Sequence, residues 1–149
     1  MISKNDKLEK SKDYWINEPN KFTDLYKTKK ILHLPSKIFL KKRMKIIQKY
    51  LKEDNKATAV DVGCGSGEFT NILKKYYGKV IGIDISDKMI NLAREKSKGN
   101  IIFQINECTN ISLNDNSADY IFALGLLDYV ENLQVVFSEF KRILKKKVK

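Results

Sequence analysis

VDVGCGSGEFT, residues 60–70, sets Gly63, Gly65 and Gly67 at alternate positions directly behind an apolar run. Glycine tolerates positive φ and lets the backbone approach another group with no Cβ in the way. The stretch is therefore either a tight turn or a surface against which something lies closely, and its surroundings decide which. Upstream, Ala57 to Val62 is a short apolar run with β-branched members, as in a strand buried on both faces. Downstream, Glu68 to Tyr77 sets Phe69, Ile72, Leu73 and Tyr76 on one helical face, and Gly78 is expected to stop that helix. The glycines thus join a first strand to a first helix.

The same alternation continues. Lys79 to Ile83 reads as a second strand, and Ser86 as the cap of a helix with Met89, Ile90 and Ala93 inward. A Gly99-Asn100 turn leads to a third strand, Ile101 to Ile105. The turn Asn114 to Ser117 precedes a fourth strand, Tyr120 to Leu124. A last helix, about Asn132 to Lys146, is expected to bury Leu133, Val136, Phe137, Phe140 and Leu144. Ahead of the first strand, Ser36 can cap a helix running to about Lys52. Strands alternating with helices predict a parallel sheet covered on both faces, a three-layer α/β/α sandwich. The predicted organisation is an N-terminal helical or lid extension over 1–35, holding Tyr14, Trp15, Phe22 and Tyr26, and one domain over 36–149.

Composition fits this reading. The chain has 149 residues, 42% hydrophobic and 32% charged, enough for one core. No apolar run approaches the ~20 residues of a membrane span, and the polar start MISKNDKLEKSKD carries no signal-peptide core. The cytoplasm is the expected compartment. Cys64 and Cys108 form no C-x-x-C, so neither a disulfide framework nor a metal site is suggested. The net charge of +11 raises nucleic acid as a partner. Only three residues, Arg43, Arg94 and Arg142, carry the guanidinium forks that suit phosphates and guanines, and the lysines are spread along the chain. A solvated basic surface is the favoured reading.

In an open parallel sheet, ligands bind beyond the carboxyl ends of the strands. Three features share that edge: the glycine turn, Asp84 at the end of the second strand in GIDIS (82–86), and Glu107 after the third. A carboxylate at Asp84 can accept both hydroxyls of a ribose. The G-x-G-x-G spacing departs from the G-x-G-x-x-G of dinucleotide binders, which disfavours a nicotinamide-dependent oxidoreductase.

VDVGCGSGEFT followed by GIDISDKMINLAREK resembles the opening half of a class I, Rossmann-like S-adenosylmethionine-dependent methyltransferase, over about residues 36–146. The resemblance implies a sheet in the order 3-2-1-4 here, part of a seven-stranded one, with S-adenosylmethionine across its first strands. It implies that Asp61, Gly63 and Gly65 border the methionine end, with Gly67 completing the turn. Asp84 would hold the ribose and Ile85 would pack on the adenine. Glu107 stands where the family usually has an aspartate near the adenine amino group, and the Cys108 N–H would face the ring. ALGLLDYV, 123–130, resembles the stretch lining the methyl-transfer pocket and adds Leu124 to the cofactor set. Tyr129 stands where many relatives have histidine. The catalytic residue is left open between Tyr129, Asp128 and His33; packing or surface exposure competes as the reading of His33, and capping of the last helix as that of Asp128.

The family continues with a fifth strand and a hairpin, whereas this sequence ends ILKKKVK. The expectation is a C-terminally short form whose fourth strand is a sheet edge, prone to self-association, partner binding or poor folding. A small-molecule acceptor is the favoured substrate. An RNA methyltransferase and a cofactor-binding module without turnover are the alternatives. The Asn/Asp-Pro-Pro-aromatic motif of enzymes acting on base amino groups is absent from LGLLDY, 124–129.

Overall fold

The computed structural model describes residues 42–146. The extension over 1–35, His33 and the Ser36 cap lie outside the described residues. What is described opens with a helical segment, 42–48 (α1). It continues as β1 (Asp54–Val62), α2 (Glu68–Leu73), β2 (Tyr77–Asp84), α3 (Asp87–Lys96), β3 (Ile101–Ile105), β4 (Tyr120–Phe122) and α4 (Leu133–Ile143), with a single 3-10 turn at Leu127–Tyr129 before α4.

The four strands form one parallel sheet in the order β3-β2-β1-β4, the predicted order. Alternation along β1 sorts its side chains between two cores. Ala57 and Ala59 join Phe69, Leu73, Tyr77 and Val80 under α2. Val60 and Val62 join Ile81 and Ile83 under α4, which contributes Val136, Phe140 and Ile143. On the α3 side, Ile90 and Ala93 pack on Cys64 and Phe103. Helices thus cover both faces, as expected for parallel strands whose apolar residues point both ways.

Several boundaries differ from expectation. Helix α1 ends at residue 48 rather than near Lys52, and β1 starts earlier, at Asp54. Helix α2 closes after Leu73, and Gly78 lies inside β2 instead of stopping the helix. The reason is tertiary: Gly78 lies against the Asn55 backbone of β1, where a Cβ would collide with the Asn55 carbonyl. Strand β4 is shorter than expected, stopping at Phe122. Helix α4 buries Val136, Phe140 and Ile143, while Leu133 and Phe137 are 41% and 51% exposed. The buried stripe is narrower than the apolar one, because Phe137 lines an open groove of about 600 Å³ beside β4 instead of the core. None of the strand-end acids lines that groove.

Strand β4 is a sheet edge, as expected, and only the residues just before it are covered. After α4 the backbone returns alongside Ala118, where Leu144 forms a parallel bridge and the Lys145 N–H donates to the Ala118 carbonyl at 2.8 Å. Asp119 Oδ2 accepts the Thr58 N–H and the Lys145 ammonium, at 2.8 and 2.7 Å, fastening the start of β4 to both neighbours. Desolvation works against the Asp119 carboxylate, but these two donors hold its pKa below the usual value. Among the described residues, no helix is long and apolar enough to cross a membrane.

Candidate functional site

The glycine turn takes its shape from the end of β2. The Gly63 and Cys64 N–H groups both donate to the Ile83 carbonyl, at 2.8 and 2.9 Å, and the Gly67 N–H donates back to Cys64. Closing the chain this tightly puts Gly63, Gly65 and Gly67 at φ of 75°, 52° and 78°, a region that L side chains rarely enter. Gly63 also meets its neighbour closely, for a Cβ there would stand 3.1 Å from Leu126 Cβ in the segment after β4. The alternate glycines are therefore demanded by backbone conformation.

Asp84 is built into the same turn. Its Oδ2 accepts the Gly65 N–H at 2.8 Å and its Oδ1 the Ser86 N–H at 2.9 Å. Each oxygen keeps a further lone pair, and the residue is partly exposed at the carboxyl end of β2. Burial raises its pKa, while the N–H groups of Ser86, Gly65 and Ile85 oppose that rise. Ser86 then caps α3, its hydroxyl accepting the Met89 N–H.

Asp61 sits deeper. It is 2% exposed and its Oδ2 accepts the Thr70 hydroxyl at 2.6 Å, which ties the end of β1 to α2 beneath the glycine turn. Desolvation drives its pKa up to about 7, against the Thr70 hydrogen bond and with a further push from the Asp84 charge. Cys64 is buried beside Phe103, and its thiol is pushed up by desolvation and by the fields of Asp61 and Asp84, so it is a neutral filler.

The third strand ends at the same edge. The Asn106 N–H donates to the Asp84 carbonyl, and the exposed Glu107 follows in a short antiparallel bridge with Asn110. Ile85 is half-buried, as is Cys108, which packs towards the α4-side core. Leu124 packs towards the α2-side core. Asp128 and Tyr129 lie exposed on the 3-10 turn. Asp128 does not cap α4; Asn132 does, accepting the Gln134 and Val135 N–H groups. The structure thus gathers the glycine turn, Asp84 and Asn106-Glu107 along one edge and puts Asp61 under it.

That arrangement has the chemistry a nucleoside without phosphate needs. It presents a partly exposed carboxylate with acceptor capacity on both oxygens, a turn with half-buried backbone at Gly63 and Gly65, and apolar neighbours. A family model described as a methyltransferase domain matches residues 60–149, from the end of β1 through α4. The chain belongs to that family. The methyltransferase domain is of the S-adenosylmethionine-dependent class. It is 35% identical over 92 residues to a demethylmenaquinone methyltransferase of Staphylococcus haemolyticus, an alignment covering 58% of this chain and 38% of the relative. A crystal structure of a methyltransferase of the same cofactor class from Aquifex aeolicus superposes with a TM-score of 0.59 at 34% identity, covering 68% of this chain and 57% of that one. A phosphoethanolamine N-methyltransferase from Haemonchus contortus, solved with phosphoethanolamine and S-adenosylhomocysteine, gives 0.61 at 26% identity, over 66% of this chain and 22% of that one. The domain spans less than half the length of the curated relatives it matches.

Two site features escaped the sequence reading. Thr70 was legible as a polar residue between Phe69 and Leu73 on an inward helical face, a position where a hydroxyl needs a partner. Gly125, with φ of 81°, lay in an apolar segment and gave no local signal.

Proposed function

We propose that the chain binds S-adenosylmethionine at the carboxyl ends of β1, β2 and β3 and transfers its methyl group to a small-molecule acceptor. The observation that carries this reading is Asp84, held by the Gly65 and Ser86 N–H groups with acceptor capacity left on each oxygen. In this reading Asp84 takes the two ribose hydroxyls. Gly63 and Gly65 border the methionine end, Gly67 completes the turn beneath them, and Asp61 supports that end from below. Ile85 and Leu124 supply apolar walls, and Glu107 with the Cys108 N–H meets the adenine edge.

The cofactor supplies an electrophilic methyl on a sulfonium, whose displacement needs in-line attack. What the protein contributes is alignment and exclusion of water. The cofactor carries no phosphate, which matches a turn whose glycine N–H groups are taken up by the Ile83 and Cys64 carbonyls and the Asp84 carboxylate. A proton need be removed only from acceptors that carry one, and Tyr129 and Asp128 are the candidates placed after β4. The small-molecule acceptor is supported by the relatives, named for demethylmenaquinone and phosphoethanolamine.

Calorimetric titration with S-adenosylhomocysteine tests the reading. Binding is expected in the wild type, with Asp84→Ala weakening it by roughly 10- to 100-fold, the worth of hydrogen bonds to a charged acceptor. Folded wild-type protein that releases no heat, or an Asp84→Ala variant of unchanged affinity, would overturn it.

A further inference from the structure

We propose that Arg43, on α1, binds the carboxylate of the cofactor's amino-acid end. The inference rests on the cofactor reading above and adds a residue from outside the glycine and strand-end motifs. The amino-acid end is a zwitterion, and its carboxylate is the cofactor's one anionic group. Setting that anion in a partly buried crevice is costly without a paired cation.

The sheet edge described so far is poorly equipped for an anion. Asp61, Asp84 and Glu107 all bring acid. The glycine turn brings few donors, because the N–H groups of Gly63, Cys64, Gly65 and Gly67 are bound respectively to Ile83, Ile83, Asp84 and Cys64. The Ser66 hydroxyl donates to Glu68. A carboxylate arriving at this turn meets few glycine N–H groups and gains from a cation brought from elsewhere.

Arg43 stands beside Gly125, just past the end of β4. Its Nη1 stands 3.3 Å from where a Gly125 Cβ would be. The next residue, Leu126, lies 3.1 Å from where a Gly63 Cβ would be. Gly63, Leu126, Gly125 and the guanidinium thus form one continuous corner over the carboxyl ends of β1 and β4. Met44 and Ile47 hold α1 in place, packing with Leu124 on the α2-side core. A guanidinium offers a planar fork that matches a carboxylate with two parallel N–H bonds. Gly125 leaves room for it.

The test compares two ligands by calorimetry: S-adenosylhomocysteine, and 5′-methylthioadenosine, which keeps the nucleoside and lacks the amino acid. Arg43→Ala is expected to weaken S-adenosylhomocysteine by roughly 10- to 100-fold and to leave methylthioadenosine within about twofold. Arg43→Lys, which keeps charge without the fork, is expected to fall between. An unchanged S-adenosylhomocysteine affinity, or an equal loss for both ligands, overturns the role of Arg43; the equal loss marks a merely structural residue. Wild-type protein that binds neither ligand overturns the cofactor reading itself and this assignment with it. Thermal melts of the unliganded variants verify that each is folded.

Discussion

At the scale of single residues, Asp61 is the most informative group. Burial holds its carboxyl neutral up to about pH 7, whereas the unfolded chain ionises it near 3.8. Between those values the folded protein binds the extra proton, so this group's contribution to stability falls as pH rises through that interval and is lowest above it. The melting temperature of the wild type is expected to drop by several degrees between about pH 5 and pH 8. In Asp61→Asn the neutral amide keeps an acceptor for Thr70 and that part of the pH slope disappears. Differential scanning fluorimetry of both proteins across the range checks this. An identical slope in the two proteins would mean that Asp61 is ionised in the fold. Gly63 makes a second residue-scale case. Gly63→Ala introduces strain at φ of 75° and presses on Leu126, so it is expected to cost about 1–3 kcal/mol. Chemical denaturation reads that loss.

At the scale of elements, the segment between β3 and β4 has no helix of its own and depends on Arg142. This side chain on α4 donates to the Leu113 and Ile111 carbonyls and to Asp115 and Glu139, while Glu139 Oε1 also accepts the Ile111 N–H. Glu139 is held below the usual carboxylate range, first by its Arg142 bonds and then by that N–H, with desolvation opposing. Arg142→Met keeps the stem and removes the donors. It is expected to speed amide exchange over residues 106–117 and to lower stability by about 1–3 kcal/mol, with little change in α2 or α3. Exchange mass spectrometry localises the effect. Helix α3 is fixed differently, by the Ser86 cap, and Ser86→Ala is expected to cost about 1 kcal/mol.

At the scale of the whole molecule, a net charge of +11 on 149 residues makes the folded chain self-repelling. The described ion pairs, such as Lys96 with Glu68 and Lys145 with Asp119, are partly exposed and worth little singly. Repulsion screened by salt outweighs attraction screened by salt. The melting temperature is therefore expected to rise as sodium chloride goes from about 20 to about 200 mM; a fall would show that the ion pairs dominate.

The strand order came from the family resemblance; fold class and the glycine turn were readable in one dimension. They depend on periodicities and local chemistry: apolar runs of strand length, a helical stripe of Phe69 and Leu73, a cap at Ser86. The sheet edge carrying Asp84 and Glu107 followed from parallel topology, which brings strand ends together whatever lies between them. Tertiary structure decided the remainder. Gly78 became part of a strand because Asn55 passes against it, and Phe137 stayed exposed because the core under α4 is narrower than its apolar stripe. The turn's N–H groups were committed to Ile83 and Asp84, Asp61 acquired Thr70, and Arg43 arrived beside Gly125 from 82 residues away along the chain. Sequence determines what each residue can pair with over a turn or two; which distant partner it meets is fixed only when the sheet closes and the helices dock on it.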